Sequence, residues 1–147
     1  MKRIVLLLSL TALVFVACEG PMGPPGDGVN WIILNYTIDD IKWKLERRPG
    51  ELGSYYWVEL PVRELTKFVC EEGNVFGYRK LGNEMQTPLG QVVVMGESDN
   101  HGNVFLFTEV YSFSFRPGYV TFYVDYSDFA TDVSHPGTCE FRIVLNY

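Results

Sequence analysis

The sequence predicts an all-β protein, an antiparallel β-sandwich of about eight strands with one short helix, and a closed β-barrel is the second architecture it allows. Three observations lead there. From Val29 onward, apolar and polar residues alternate with period two in short runs rich in aromatic and β-branched side chains. Gly, Pro, Asn and Asp separate those runs. Only one stretch carries helical spacing, so the sheets have no layer of helices to cover their apolar faces and must pack on each other.

Trp31–Ile38 reads as the first strand. Ile41, Trp43 and Leu45 alternate with Lys42, Lys44 and Glu46, which predicts a second strand with one wet face. Arg47-Arg48-Pro49-Gly50 breaks the chain, and a third strand covers 54–60 until Pro61 ends it. In that strand Tyr55 and Trp57 share one side, with Tyr56, Val58 and Leu60 opposite. Val62, Leu65, Phe68 and Val69 fall at three- and four-residue spacings with Gly73 behind them, the pattern of one short helix within 62–72 and its C-cap. Strands resume over 74–81, 91–95, 103–115, Tyr119–Tyr126 and 139–147. In the last, Cys139, Phe141, Ile143 and Leu145 face inward against Glu140, Arg142 and Asn146. Arg116-Pro117-Gly118 predicts a tight hairpin turn, with Pro presetting φ and Gly supplying a positive one, and Asp99-Asn100-His101-Gly102-Asn103 joins a second hairpin.

A chain of 147 residues is sized for one domain with a real core. With 47% apolar and 20% charged residues it falls in the globular range. Acidic groups outnumber basic ones 18 to 12, which argues against nucleic acid as a partner, because phosphate neutralisation needs clustered Lys and Arg. Residues 1–17 have the layout of a secretory signal: Lys2 and Arg3, an apolar stretch from Ile4 to Val16, then the small Ala17 before Cys18. That stretch is shorter than the roughly 20 residues a membrane-spanning helix needs, so it reads as a targeting device. Residues 18–28 follow as a tether, with Gly20-Pro21-Met22, Gly23-Pro24-Pro25 and Gly26-Asp27-Gly28 in collagen-like triplets. Three triplets are too few to zip a triple helix, and the segment reads as a semi-rigid spacer of about 3.1 Å per residue. The β-domain occupies 29–147.

Phe15-Val16-Ala17-Cys18 resembles the lipobox of bacterial lipoproteins, with Phe15 where Leu is usual. The resemblance implies that Cys18 is acylated, palmitate-fashion, that the signal is cut before it and that Cys18 becomes the N-terminus. Loss of residues 1–17 removes two of the 12 basic groups and no acid, leaving 10 against 18 and a formal charge of −8. More widely, Cys-Glu-Gly-Pro-x-Gly-Pro-x-Gly after the lipobox, Leu-Thr-x-x-Val at 65–69, Gly-x-Val-x-x-Tyr at 73–78 and Phe-Arg-Ile-Val-Leu at 141–145 together resemble the small exported lipoproteins of gut-type Gram-negative bacteria. That resemblance implies a cell-envelope location, lipid-anchored to the outer membrane on its periplasmic side or at the cell surface. It implies no activity, cofactor or functional residue.

Cys70 and Cys139 remain once Cys18 is lipidated, and an oxidising envelope makes their pairing in one disulfide the expectation, against two buried free thiols as the alternative. No metal site is expected: neither 99–103 nor the Asp125, Asp128, Asp132 series has the spacing of a calcium loop, and turn-forming Asp and Asn account for both. His101 and His135 lack zinc spacing and read as solvated loop residues. With no nucleophile elbow, no phosphate-cradling glycine loop and no carboxylate pair, the chain is not expected to be an enzyme or to carry a cofactor. The aromatics are the remaining lead. Tyr55-Tyr56-Trp57 is the densest run of the 22 rings, and exposed rings beside acids and amides are what sugar-binding sheets use. The first functional expectation is therefore a non-catalytic, lipid-anchored module that binds a glycan or other ligand. The second is a structural or assembly subunit of a surface complex that pairs with an envelope protein through a sheet edge. Oligomeric state is left open.

Overall fold

The computed structural model describes residues 28–82 and 84–147; the signal, Cys18 and the tether up to Asp27 lie outside the described residues. Among the described residues nine strands form two antiparallel sheets and no barrel closes, so the architecture is a sandwich. The four-stranded sheet has the order β1-β9-β4-β5, from β1 (Trp31–Ile38), β4 (Asn74–Lys80), β5 (Gln86–Pro88) and β9 (Cys139–Asn146). The five-stranded sheet has the order β2-β3-β8-β7-β6, from β2 (Lys44–Glu46), β3 (Tyr55–Pro61), β6 (Gln91–Ser98), β7 (Val104–Arg116) and β8 (Tyr119–Tyr126). One α-helix among the described residues, α1 (Lys67–Glu72), links the sheets; Thr66 caps it by accepting the Val69 amide at 3.2 Å. Gly73 is its C-cap, as expected, in extended backbone (φ −93°, ψ −175°) with its amide donating to Val69 O.

The core is where the alternation put it. Val120, Phe122, Val124 and Tyr126 of β8 meet Cys139, Phe141, Ile143 and Leu145 of β9, all buried. Phe122 and Phe141 stack across the sheets with centroids 4.3 Å apart and planes 16° off parallel, and Trp43 stands edge-on to Phe141 at 6.2 Å. Gly77 of β4 marks a close approach of the sheets: a Cβ there would sit 2.7 Å from Phe113 Cε1 and 2.8 Å from Leu89 Cδ1.

Three local expectations are corrected. The second strand does not begin at Ile41, because Asp40–Lys42 forms a 3-10 turn in which Asp40 Oδ1 accepts the Ile41 amide at 2.7 Å; Ile41 points to solvent and only Lys44–Glu46 pairs. The ninth strand is β5, a three-residue edge of Gln-Thr-Pro that has neither alternation nor β-branched density enough to announce itself. The expected disulfide does not form. Cys70 and Cys139 are both free. Cys139 opens β9 opposite Ile38, whereas α1 leads into Asn74, which pairs with Asn146 at the far end of β9. The length of that strand, about 3.3 Å per residue, stands between the two thiols, and a disulfide needs Cα atoms within about 7 Å.

The 127–138 loop between β8 and β9 is pinned from three sides. Trp43 Nε1 donates to Gly137 O at 2.9 Å, Tyr56 Oη donates to Thr131 O at 2.9 Å, and the buried Ser54 and Thr131 hydroxyls share a bond of 2.8 Å. No helix among the described residues is long and apolar enough to cross a membrane.

Candidate functional site

Three groups of side chains compete for attention, and the sequence anticipated one of them. Strand alternation places Tyr55 and Trp57 on the outer face of the five-stranded sheet and Tyr56 on the inner face, as expected. The sheet register adds Tyr123 beside Trp57 and Asp125 beside Tyr55. These rings are already engaged. Lys44 Nζ sits 4.8 Å above the Trp57 ring, the Tyr55 and Tyr123 rings are tilted by 60°, and Tyr123 Oη bonds Ser114 Oγ at 2.8 Å. Further along the face, Arg116 stacks on Tyr119 at 4.1 Å while gripping both Glu59 carboxylate oxygens at 3.0 and 3.1 Å. Burial between neighbouring strands pushes the Asp125 carboxyl above its ordinary range. Tyr56 is core: it is 7% exposed, packs edge-on against Tyr126 and His135, and is held by Thr131.

The second group is polar and faces inward at one end of the sandwich. Arg79 of β4 lies 3.6 Å from the Tyr111 ring centre, and Tyr111 Oη donates to Glu109 Oε2 at 2.9 Å. Tyr126 Oη and Gln91 Oε1 are buried nearby in sheet register with no hydrogen-bond partner among the described residues. Burial is the main reason the Tyr111, Tyr126 and Cys139 groups are all raised above their ordinary pKa values, so each stays protonated at neutral pH. No pocket opens here or elsewhere among the described residues. Glu109 shares strand parity with Phe107, Tyr111 and Phe113, which was the signal that it points inward.

The third group went unread in the sequence. β7 runs for 13 residues, but β8 pairs only with Glu109–Arg116 of it. Beyond Thr108 the only neighbour of β7 is β6, and the other edge of β6 has no partner among the described residues. The distal halves of β6 and β7 thus stand out as a two-stranded arm. Val94, Val104 and Leu106 occupy one face, 67%, 64% and 73% exposed. Met95 and Phe105 occupy the other, 38% and 60% exposed. At the tip, Asp99 carboxylate oxygens accept from the His101 and Asn103 amides at 2.8 and 2.9 Å and from Asn103 Nδ2 at 2.7 Å. Those bonds, the Asn103 side chain first, hold the Asp99 carboxyl below its usual range.

Isolated two-stranded ribbons are marginal in water, and large apolar side chains exposed on both faces of one make it a candidate docking surface. The two short edges are guarded. β2 and β5 are three residues long, the first carrying Lys44 and Glu46 outward and the second Pro88. β1 is long and carries neither Lys nor Pro; its Ile32, Leu34 and Tyr36 pack on the core, while Trp31 and Ile33 face outward, 61% and 54% exposed. β6 has eight residues with neither Lys nor Pro.

His101 and His135 lie in loops and exposed, with His135 Nδ1 accepting the Gly137 amide at 3.3 Å. Among the described residues no three His, Cys, Asp or Glu side chains converge. Comparison with known protein families, with curated proteins and with solved structures finds no significant match to this chain, so its function is argued from its own residues.

Proposed function

We propose that this chain is a non-catalytic subunit of a cell-envelope assembly, held to the outer membrane through an acylated Cys18 and docked to its partner through the β6–β7 arm. The observation that carries the docking is the arm itself: five large apolar side chains over two faces, next to an unguarded edge strand. The anchor rests on the lipobox-like Phe15-Val16-Ala17-Cys18 and on the tether that follows it. Interface energy concentrates in a few large apolar residues, so replacing Phe105 and Leu106 together by Ser should weaken docking about 10- to 100-fold. The core is untouched and the melting temperature should stay at the wild-type value. Native electrophoresis of membranes extracted in mild detergent reads both chains. Wild type is expected above its monomer mass and the double variant at it; equal migration overturns the proposal.

A second reading is favoured by the register that sets Tyr55, Trp57 and Tyr123 side by side on one sheet face. Under it the chain is a glycan-binding module, each ring contributing about 0.5–1.5 kcal/mol of stacking. Trp57→Ala would then cut glycan-array retention several-fold without loss of stability. An array with no signal for wild type removes this reading.

A further inference from the structure

We infer that the partner on the β6 edge is a second copy of this chain, joined antiparallel about a two-fold axis at Val94. The inference rests on the arm being a docking element and names what docks there.

The strand is complementary to itself. A two-fold pairing that keeps both inner faces on the same side of a continuous sheet must match residues of equal parity. Centred on Val94, it sets Val94 against its symmetry mate, Val93 against Met95, Val92 against Gly96 and Gln91 against Glu97. Each position finds a suitable neighbour. Gly96, over which Leu106 leans closely enough that a Cβ would sit 3.3 Å from its Cδ2, presents no side chain to the incoming Val92. Glu97 is the only charge in β6. This register gives it the amide of Gln91 as a donor and keeps the two Glu97 carboxylates at opposite ends of the pair. Moving the centre to Val93 or Met95 sets Gln91 against Met95 or Glu97 against Val93, so a polar group faces an apolar one. The result is a ten-stranded sheet across two copies. Each arm then runs alongside the sandwich of the other copy instead of standing alone in water. Both bodies are acidic, so the pairing should strengthen as salt screens their repulsion.

The register makes a covalent test available. Directly opposed residues in an antiparallel pair have Cα atoms about 4.5–5.5 Å apart, within reach of a disulfide. Val94 is exposed, so Val94→Cys should not disturb folding. In the full chain, oxidised in intact envelope membranes, Val94→Cys is expected to run as a dimer on a non-reducing gel. Wild type, which keeps Cys70 and Cys139, is expected to stay monomeric on that gel, as is Val92→Cys, whose own symmetry mate lies four positions away along the strand. Equal linking of Val92→Cys and Val94→Cys, or no linking of either, overturns the inference. If Val94→Cys fails to link while Phe105→Ser/Leu106→Ser still shrinks the native particle, the partner is a different protein and the assembly reading survives. If neither changes, both readings fall.

Discussion

Tyr56 and Trp57 are neighbours in the chain with opposite environments, and the period of a strand is the whole reason. Tyr56 Oη is buried on Thr131, while Trp57 lies on the outer face under Lys44. Tyr56→Ala should therefore cost about 3–5 kcal/mol in chemical denaturation, and Trp57→Ala under about 1 kcal/mol. This contrast was legible in the sequence, because alternation fixes parity. The state of the cysteines was not. Compartment and number argued for a bond, but neither carries distance, and only the β1-β9-β4 pairing shows that the thiols sit at opposite ends of a strand. Thiol titration of the unfolded, unreduced chain should find Cys70 and Cys139 both reactive; a missing pair of thiols would contradict the fold. Asp125 yields a pH-dependent expectation. Its folded pKa is raised by burial, so the fold favours the protonated carboxyl. That preference is full below the unfolded pKa and is lost as pH rises through the folded one. Asp125→Asn should accordingly melt higher than wild type at pH 7, and thermal melts at falling pH should show the difference closing.

At the scale of elements, strands with continuous alternation announced themselves and short ones did not. β8 and β9 are each eight residues with a clean inward set, and those sets meet face to face between the two sheets. β2 was displaced because a local Asp40 side-chain bond competes with strand pairing over Ile41. β5 exists because β4 offers it an edge, a tertiary cause that three residues of sequence do not encode. The arm is an intermediate case. A 13-residue strand beside an eight-residue one leaves an overhang by arithmetic, but which end overhangs depends on the tight Pro117-Gly118 turn that fixes register at Arg116 and Tyr119. Packing between elements is sharpest at Gly77, where an added Cβ meets Phe113 and Leu89 below 3.0 Å. Gly77→Ala should cost about 1–3 kcal/mol in an unfolding titration even though Ala suits the backbone there, whereas a neutral result would mean the sheets sit further apart than described.

For the molecule as a whole, the leader and the body make separate claims. Acylation at Cys18 is read from four residues and a tether. Metabolic labelling with an alkyne fatty acid should mark wild type and spare Cys18→Ala; equal label on both would detach the protein from the envelope reading. The body has a packed core, and no pocket opens among its described residues. On the outer face of the five-stranded sheet, the Trp57 and Tyr119 rings are capped by Lys44 and Arg116. The β6–β7 arm carries no such caps and is the surface proposed to dock. Hydrogen exchange across 91–106, measured on the chain extracted from membranes and on its Phe105→Ser/Leu106→Ser variant, tests that directly. Covered by a partner, the β6 amides should exchange slowly in wild type and at least tenfold faster in the variant, a difference of about 1.4 kcal/mol in protection. Equally fast exchange in both would mean that nothing covers the arm.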